Sequence, residues 1–391
     1  MTGAIFIPFF APSISVLLAG ELICGIPWGI FSTTGPAYSS ELLPTSLRGF
    51  MTGYANLFIV IGQLISSGVL AGLEANTTSL SYRIPFAIQW VWPVPLFILI
   101  LFAPESPWWL VRKGKLSDAE QVFRRVTSMD EETIRNQVAM MVHTTDMERE
   151  VRESSSYLDC FKGSNLHRTE VASLVFFAQA FSGASMVGSY FFNQVGLPAK
   201  TTYRVLVADS GIAFIASIAG SFVISRFGRR IIFNGGMFIM AFLLLIIGLL
   251  AIPKDDPRAK WGQIGLALFW VFIYQSTIGV GAYIVSSEIS AVRLRVQTVA
   301  ISKNSHNIAN IIVNILEPRM INPSAWHWKG YTAFFWAGTC LLFAVWGYFR
   351  IPETFERTYQ ELDLLFEKKV SSRKFDSFDL HLIDDVLTEE K

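Results

Sequence analysis

Glutamate and arginine recur in this chain at separations that suit reversible ion pairing. Glu41 is followed seven residues later by Arg48, and Glu288 likewise by Arg295, 247 positions further on (288 against 41). A Pro-Glu-Ser/Thr step leaves an apolar run at Pro104-Glu105-Ser106 and again at Pro352-Glu353-Thr354, 248 positions later (352 against 104). A basic cluster of Arg226, Arg229 and Arg230 surrounds Gly228, a residue suited to a tight bend. Partly desolvated Arg–carboxylate pairs can latch two bodies together and release when these rock apart. A lone pair would read as ordinary interfacial charge; recurrence in two halves favours the latch.

Other polar groups fall inside apolar stretches. Glu21 shares a helical face with Cys24, Trp28 and Ser32 deep in the first long apolar run. A carboxylate there must be paired or protonated part of the time, so it serves either proton coupling or another helix's charge. Over 172–192, taken as one helix, Gln179, Ser182, Ser185, Ser189, Tyr190, Asn193 and Gln194 occupy half the circumference. Such hydroxyls and amides suit a ligand rich in donors and acceptors, or else glue helices together. Over 296–318, Lys303, His306, Asn307, Asn310, Asn314 and Glu317 share an arc of about 100° and must avoid lipid. Lys303 lies near enough to the helix start to snorkel, and His306 is either proton-linked or a satisfied polar group. Asn56, Gln63 and Ser67 share a face of an earlier run.

The elements that must position these groups are membrane helices. Of 391 residues, 52% are hydrophobic and only 16% charged, against roughly a quarter charged in soluble proteins. Blocks of about 20 apolar residues match a hydrocarbon core crossed as helix. The expected spans are 13–38, 49–72, 82–103, 172–192, 205–226, 230–251, 262–287, 296–318 and 330–350. With 104–170 and the C-terminal tail placed in the cytoplasm, 23 of the 32 Lys and Arg residues fall inside, as the positive-inside rule requires. A net charge of +1 gives no case for nucleic acid, and three cysteines imply no disulfide framework. Asn76-Thr-Thr78 is a sequon only a few residues from a span.

The two halves are unequal. A counterpart of the second half's first span would begin about 76 residues before Met1, so residues 1–10 read as the end of a third helix. The expectation is an all-α membrane protein with about 9–10 spans of twelve. Residues 1–103 form an incomplete bundle, 104–170 a cytoplasmic helical linker, 171–350 a six-helix bundle and 351–391 a tail. Within the linker, Ser128 and Glu131 suggest a capping box, and Ser117 or Asp118 a second helix start.

Pro36-x-Tyr38-x-x-Glu41, Pro44-x-x-x-Arg48-Gly49, Pro104-Glu105-Ser106-Pro107, Ser225–Arg230 and Pro352-Glu353-Thr354 resemble the signature set of the sugar porter family of the major facilitator superfamily. Gly25-Ile-Pro-Trp-Gly29, Ile61-Gly-Gln-Leu-Ile65, Trp326-His-Trp-Lys-Gly330 and Glu361 through Phe375 narrow the resemblance to fungal α-glucoside (maltose-type) permeases, over residues 1 to about 376. Trp108, Ser225 and Phe355-Glu356 depart from the family's usual residues, departures that imply a weakened or rearranged inner latch.

The resemblance implies the two-bundle facilitator fold and proton-coupled uptake of α-glucosides such as maltose by alternating access, with no enzymatic activity, cofactor or metal. Its partners would be a sugar, the proton and the bilayer, in a multi-pass protein of the fungal plasma membrane. Gln179, Ser185, Tyr190, Asn310, Gln63 and Tyr283 are the implied sugar contacts, and Glu21 the implied proton-coupling acid. Glu41, Arg48, Glu105, Arg226, Arg229, Arg230, Glu288, Arg295 and Glu353 are the implied gate. A non-transporting sensor, an inactive truncated permease and a facilitative hexose uniporter are the alternatives.

Overall fold

Apolar blocks of this length fold as helices because only intrahelical hydrogen bonds satisfy the backbone without water. The computed structural model describes residues 1–42, 45–127, 129–153, 156–224, 226–253, 256–291, 294–355, 357 and 359–375, the backbone alone at 32–33, 36–37, 39–41, 45–55, 147–153, 189, 221 and 359–360. No strand occurs among these residues. The first helices are α1 (Thr2–Phe9), α2 (Ile14–Leu42), α3 (Thr45–Leu73), α4 (Leu80–Ile88), α5 (Pro93–Phe102), α6 (Pro107–Arg112), α7 (Leu116–Val126) and α8 (Glu131–Glu153). There follow α9 (Gly163–Ala180), α10 (Ser189–Val195), α11 (Ala199–Ile224), α12 (Arg229–Leu250), α13 (Pro257–Tyr274), α14 (Val280–Ile289), α15 (Arg295–Ile321), α16 (Thr332–Arg350) and α17 (Tyr359–Glu367). Seven helical segments among the described residues are long and apolar enough to cross a membrane.

Two expected spans differ from that pattern. α15 is long enough, at 27 residues, but carries the polar arc. The stretch 172–192 is not one helix. α9 starts at Gly163 and ends at Ala180, a turn covers 181–188, and α10 begins afresh. Gly183 sits at φ +91°, a conformation that costs other residues strain. The stripe drawn at 100° per residue therefore breaks after Gln179.

The chain forms two compact units. In the first, residues 1–55 and 65–154, α1 lies so close to α2 that a Cβ at Gly20 would come within 2.7 Å of Pro8. Trp90 Nε1 donates to the Thr2 carbonyl at 3.1 Å, and Tyr38 OH to the Pro104 carbonyl at 2.6 Å. Helices α6 to α8 bury Leu110, Val111, Ala119, Val138 and Met141 against one another. Ser106 caps α6 by accepting from Trp109 N. Ser117 and Asp118 do not cap α7, which starts one residue earlier; Asp130 accepts from Thr133 N at the start of α8, and Ser128 lies outside the described residues.

In the second unit, residues 56–64 and 155–391, α9 is the central element, with Val171, Ala172, Val175, Phe176, Ala178 and Ala180 buried. α9 packs on α14 and α15, while α12 packs on α13 and α16. A Cβ at Gly248 of α12 would come within 2.8 Å of the Phe334 ring on α16. Small residues let membrane helices approach this closely. After α16 the chain returns: Leu362, Leu365, Phe366 and Phe375 are all buried in the same core. Arg168 of α9 pairs with Asp363 and lies 4.3 Å over the Phe366 ring, and Glu170 pairs with Arg350.

Candidate functional site

At one end of the second unit, the charged residues singled out by repetition form a connected cluster. Gly228 precedes the first turn of α12, whose N–H groups have no intrahelical partner. The Glu353 carboxylate, 8% exposed, accepts from Arg229 N at 2.7 Å, Arg230 N at 3.2 Å, and Thr354 N and Phe355 N at 3.1 Å. A negative group at a helix N-terminus is favoured by the exposed N–H groups and the helix dipole. Gly228 is not needed for an unusual backbone angle, since its φ is −59°. It is needed because a Cβ would collide with the Glu353 carboxylate.

Arg229 extends the cluster sideways. Its Nε and one terminal nitrogen reach Glu288 of α14 at 3.2 and 3.1 Å, and Thr354 Oγ1 donates to the same carboxylate at 2.6 Å. Phe355 lies 4.7 Å beneath the Arg229 guanidinium as a cation–π partner. Arg230 donates to the Tyr348 carbonyl at 2.7 Å. The cluster thus ties α12, α14 and the segment after α16 to one another inside one unit. Thr354 and Phe355 were not assigned roles from sequence; their adjacency to Glu353 is the signal that locates them.

Of the other gate residues, Arg226 and Glu105 are exposed and Arg295 is partly buried. The side chains of Glu41 and Arg48 lie outside the described residues. Glu21 is partly buried on α2 beside the buried Cys24 and makes no ion pair among the described residues. Gln63 is exposed on α3.

The expected sugar contacts are distributed over the broken helix and its neighbours. Gln179 is 4% exposed, its Nε2 donating to the Gly279 carbonyl at 3.1 Å, while its Oε1 has no hydrogen-bond partner among the described residues. Gly279 belongs to a π-helical turn, Gln275–Gly279, between α13 and α14. Such turns are often retained at functional positions. Tyr283 stands edge-on to Phe176 at 5.2 Å, and Lys303 Nζ lies 4.0 Å over its ring. Lys303 therefore turns into an aromatic cradle. His306 packs on Phe176 and hydrogen-bonds its carbonyl at 3.4 Å. Asn310 is partly buried, and its carbonyl accepts from Asn314 Nδ2 at 2.9 Å.

Ser185 and Tyr190 meet in a cavity of about 450 Å³, which Asn314 and Glu317 of α15 also line. Sites for small molecules commonly have this size, with a few polar groups converging on an otherwise apolar wall. Gln179, Asn310 and Tyr283 do not line it.

The sugar (and other) transporter family profile matches residues 1–366. A maltose permease of Saccharomyces cerevisiae is 33% identical over 386 residues, covering 96% of this chain and 63% of the permease. A general α-glucoside permease of the same yeast is 33% identical over 96% of this chain and 62% of its own length. The chain therefore spans somewhat under two thirds of these relatives. Among solved structures, the xylose transporter XylE from E. coli, in an inward-open form, aligns at a TM-score of 0.72 with 21% identity, over 93% of this chain and 79% of that one. At that identity the likeness establishes the fold, the helical fold of a membrane transporter.

Proposed function

The chain belongs to the sugar (and other) transporter family of multi-pass membrane proteins, and we propose that it carries α-glucosides such as maltose, coupled to protons, by alternating access. The observation that carries this is the 33% identity with maltose and α-glucoside permeases across 96% of the chain. The basic residues concentrated in 104–170 and in the tail support a cytoplasmic C-terminus, in a protein we place in the plasma membrane.

In this proposal Gln179, Asn310 and Tyr283, with Ser185, Tyr190 and Gln63, face the sugar. Gln179 Oε1, buried without a partner, supplies an acceptor that a sugar hydroxyl would satisfy. The Glu353–Arg229–Glu288 cluster keeps the ends of α12 and α14 together, so that the unit moves as one body against its counterpart. Arg226, Arg230, Arg295, Glu105, Glu41 and Arg48 are the remaining residues assigned to the gate. Glu21 takes and releases the proton.

Labelled maltose uptake by cells expressing the chain, with external pH recorded, tests the proposal. Maltose should accumulate uphill and alkalinise the medium. The Glu21→Gln variant should lose accumulation while sugar exchange persists. Undiminished uphill uptake in that variant removes Glu21 from coupling. Exchange without alkalinisation in the unaltered chain replaces symport with facilitated diffusion, and absence of both uptake and exchange overturns transport itself.

A further inference from the structure

Glu317 stands out among the polar groups of the second unit. It is 4% exposed near the C-terminal end of α15, and one carboxylate oxygen, Oε1, has no hydrogen-bond partner among the described residues. The other, Oε2, accepts from Trp336 Nε1 of α16 at 2.6 Å. A buried carboxylate left half satisfied costs free energy and ordinarily marks a site whose missing partner is a ligand or a proton. Glu317 also lines the 450 Å³ cavity together with Ser185 and Tyr190, with Asn314 one helical turn back on its own element.

The walls of that cavity are held in place. Thr339 Oγ1 and Cys340 Sγ of α16 donate to the carbonyls of Phe181 and Ser182, fixing the turn that carries Ser185. Trp336, the residue that orients Glu317, also packs on Gly183 of that turn. One helix thus positions both sides of the pocket. A ligand entering it would meet pre-set groups, which lowers the cost of ordering on binding.

We infer that Glu317, Asn314, Ser185 and Tyr190 form a subsite for a polyhydroxylated ring, the second sugar residue of a disaccharide. The chemistry fits: a carboxylate accepts two hydroxyl donors, an amide and a hydroxyl donate and accept, and a half-exposed tyrosine offers an apolar ring face. The spacing fits as well. Asn310 and Glu317 are seven residues apart on one helix, a rise of about 10 Å, close to the end-to-end span of two linked pyranose rings and longer than a single ring. This assignment rests on the transport proposal, since it places one ring at the Gln179–Asn310 level and the other in the cavity. It makes Glu317 the residue that distinguishes a disaccharide from glucose.

The test is equilibrium binding of maltose and of glucose to the purified chain in lipid nanodiscs, with Glu317→Gln and Asn314→Ala as variants. Asn314 is exposed, so its replacement leaves packing unchanged. Glu317→Gln should weaken maltose binding about tenfold to a hundredfold, the range for a lost bond to a charged group, and glucose binding less than about threefold. Asn314→Ala should reduce maltose affinity several-fold with the same selectivity. Equal maltose-to-glucose ratios in the unaltered chain and in Asn314→Ala overturn the subsite, whether or not Glu317→Gln folds. So does unchanged maltose binding in a folded Glu317→Gln protein. If the unaltered chain binds neither sugar, the transport proposal fails and this inference fails with it.

Discussion

At the scale of residues, the most constrained group is Glu353. Its carboxylate serves four N–H groups at the start of α12 and in its own turn. Glu353→Ala should therefore cost about 2–4 kcal/mol, the sum of a lost charged cap and newly unsatisfied donors. A fall in the melting temperature of the detergent-solubilised chain, larger than for Glu105→Ala at an exposed position, checks it; equal shifts would refute the capping role. The repeated Pro-Glu step made Glu353 legible in the sequence. The reason for Gly228 was not, because a collision between atoms 125 positions apart leaves no local pattern. The arc on α15 was legible too, but it did not separate Glu317 from its neighbours. Only burial and the Trp336 contact do so.

At the scale of elements, the break between α9 and α10 matters most. Periodicity predicts a continuous helix over 172–192, since no proline interrupts it and its residues are largely apolar. The break arises from tertiary contacts: two carbonyls freed in the turn are satisfied by side chains of α16. Gly183 is the one position there that must lack a side chain, at φ +91° and with Trp336 Cβ only 3.0 Å from where its Cβ would be. Gly183→Ala is expected to destabilise the second unit by about 1–3 kcal/mol, from strain at that φ alone. Thermal unfolding compared with Gly265→Ala, where a Cβ meets nothing within 4 Å, isolates the effect; identical midpoints would contradict it. Ser185 still lines the cavity after the break, because the turn sets its direction in place of the helix.

At the scale of the whole molecule, the segment after α16 closes the second unit by packing on α9, and its polar contacts make that closure sensitive to pH. Burial, and secondarily the Arg350 charge, hold the His167 imidazole below its ordinary value of 6.5. Burial alone would raise the Glu170 carboxyl, but hydrogen bonds from Arg350 and Trp346 outweigh it and bring it below 4.5. In both cases the packed state binds fewer protons than the open one, so its stability is complete above the ordinary value and declines as pH falls below it. Acidification from 7.5 toward 5.5 should loosen the segment through His167, and a further step below 4.5 should act through Glu170. Limited proteolysis within 357–375 across that range measures this, and His167→Gln should flatten the first step. Cleavage that is constant with pH, or that decreases on acidification, would show that the packing does not depend on these groups.

The family, the helical class and the positions of the charged signatures were determined by the sequence itself. Hydrophobic blocks of membrane length admit one backbone solution, and a repeated motif carries its own register. Which charges actually meet, where α9 breaks, and which carboxylate is buried with an oxygen to spare were decided only by the tertiary structure. Each depends on side chains brought together from distant positions, and no spacing along the chain encodes the distance between Glu317 and Trp336 or between Glu353 and Gly228.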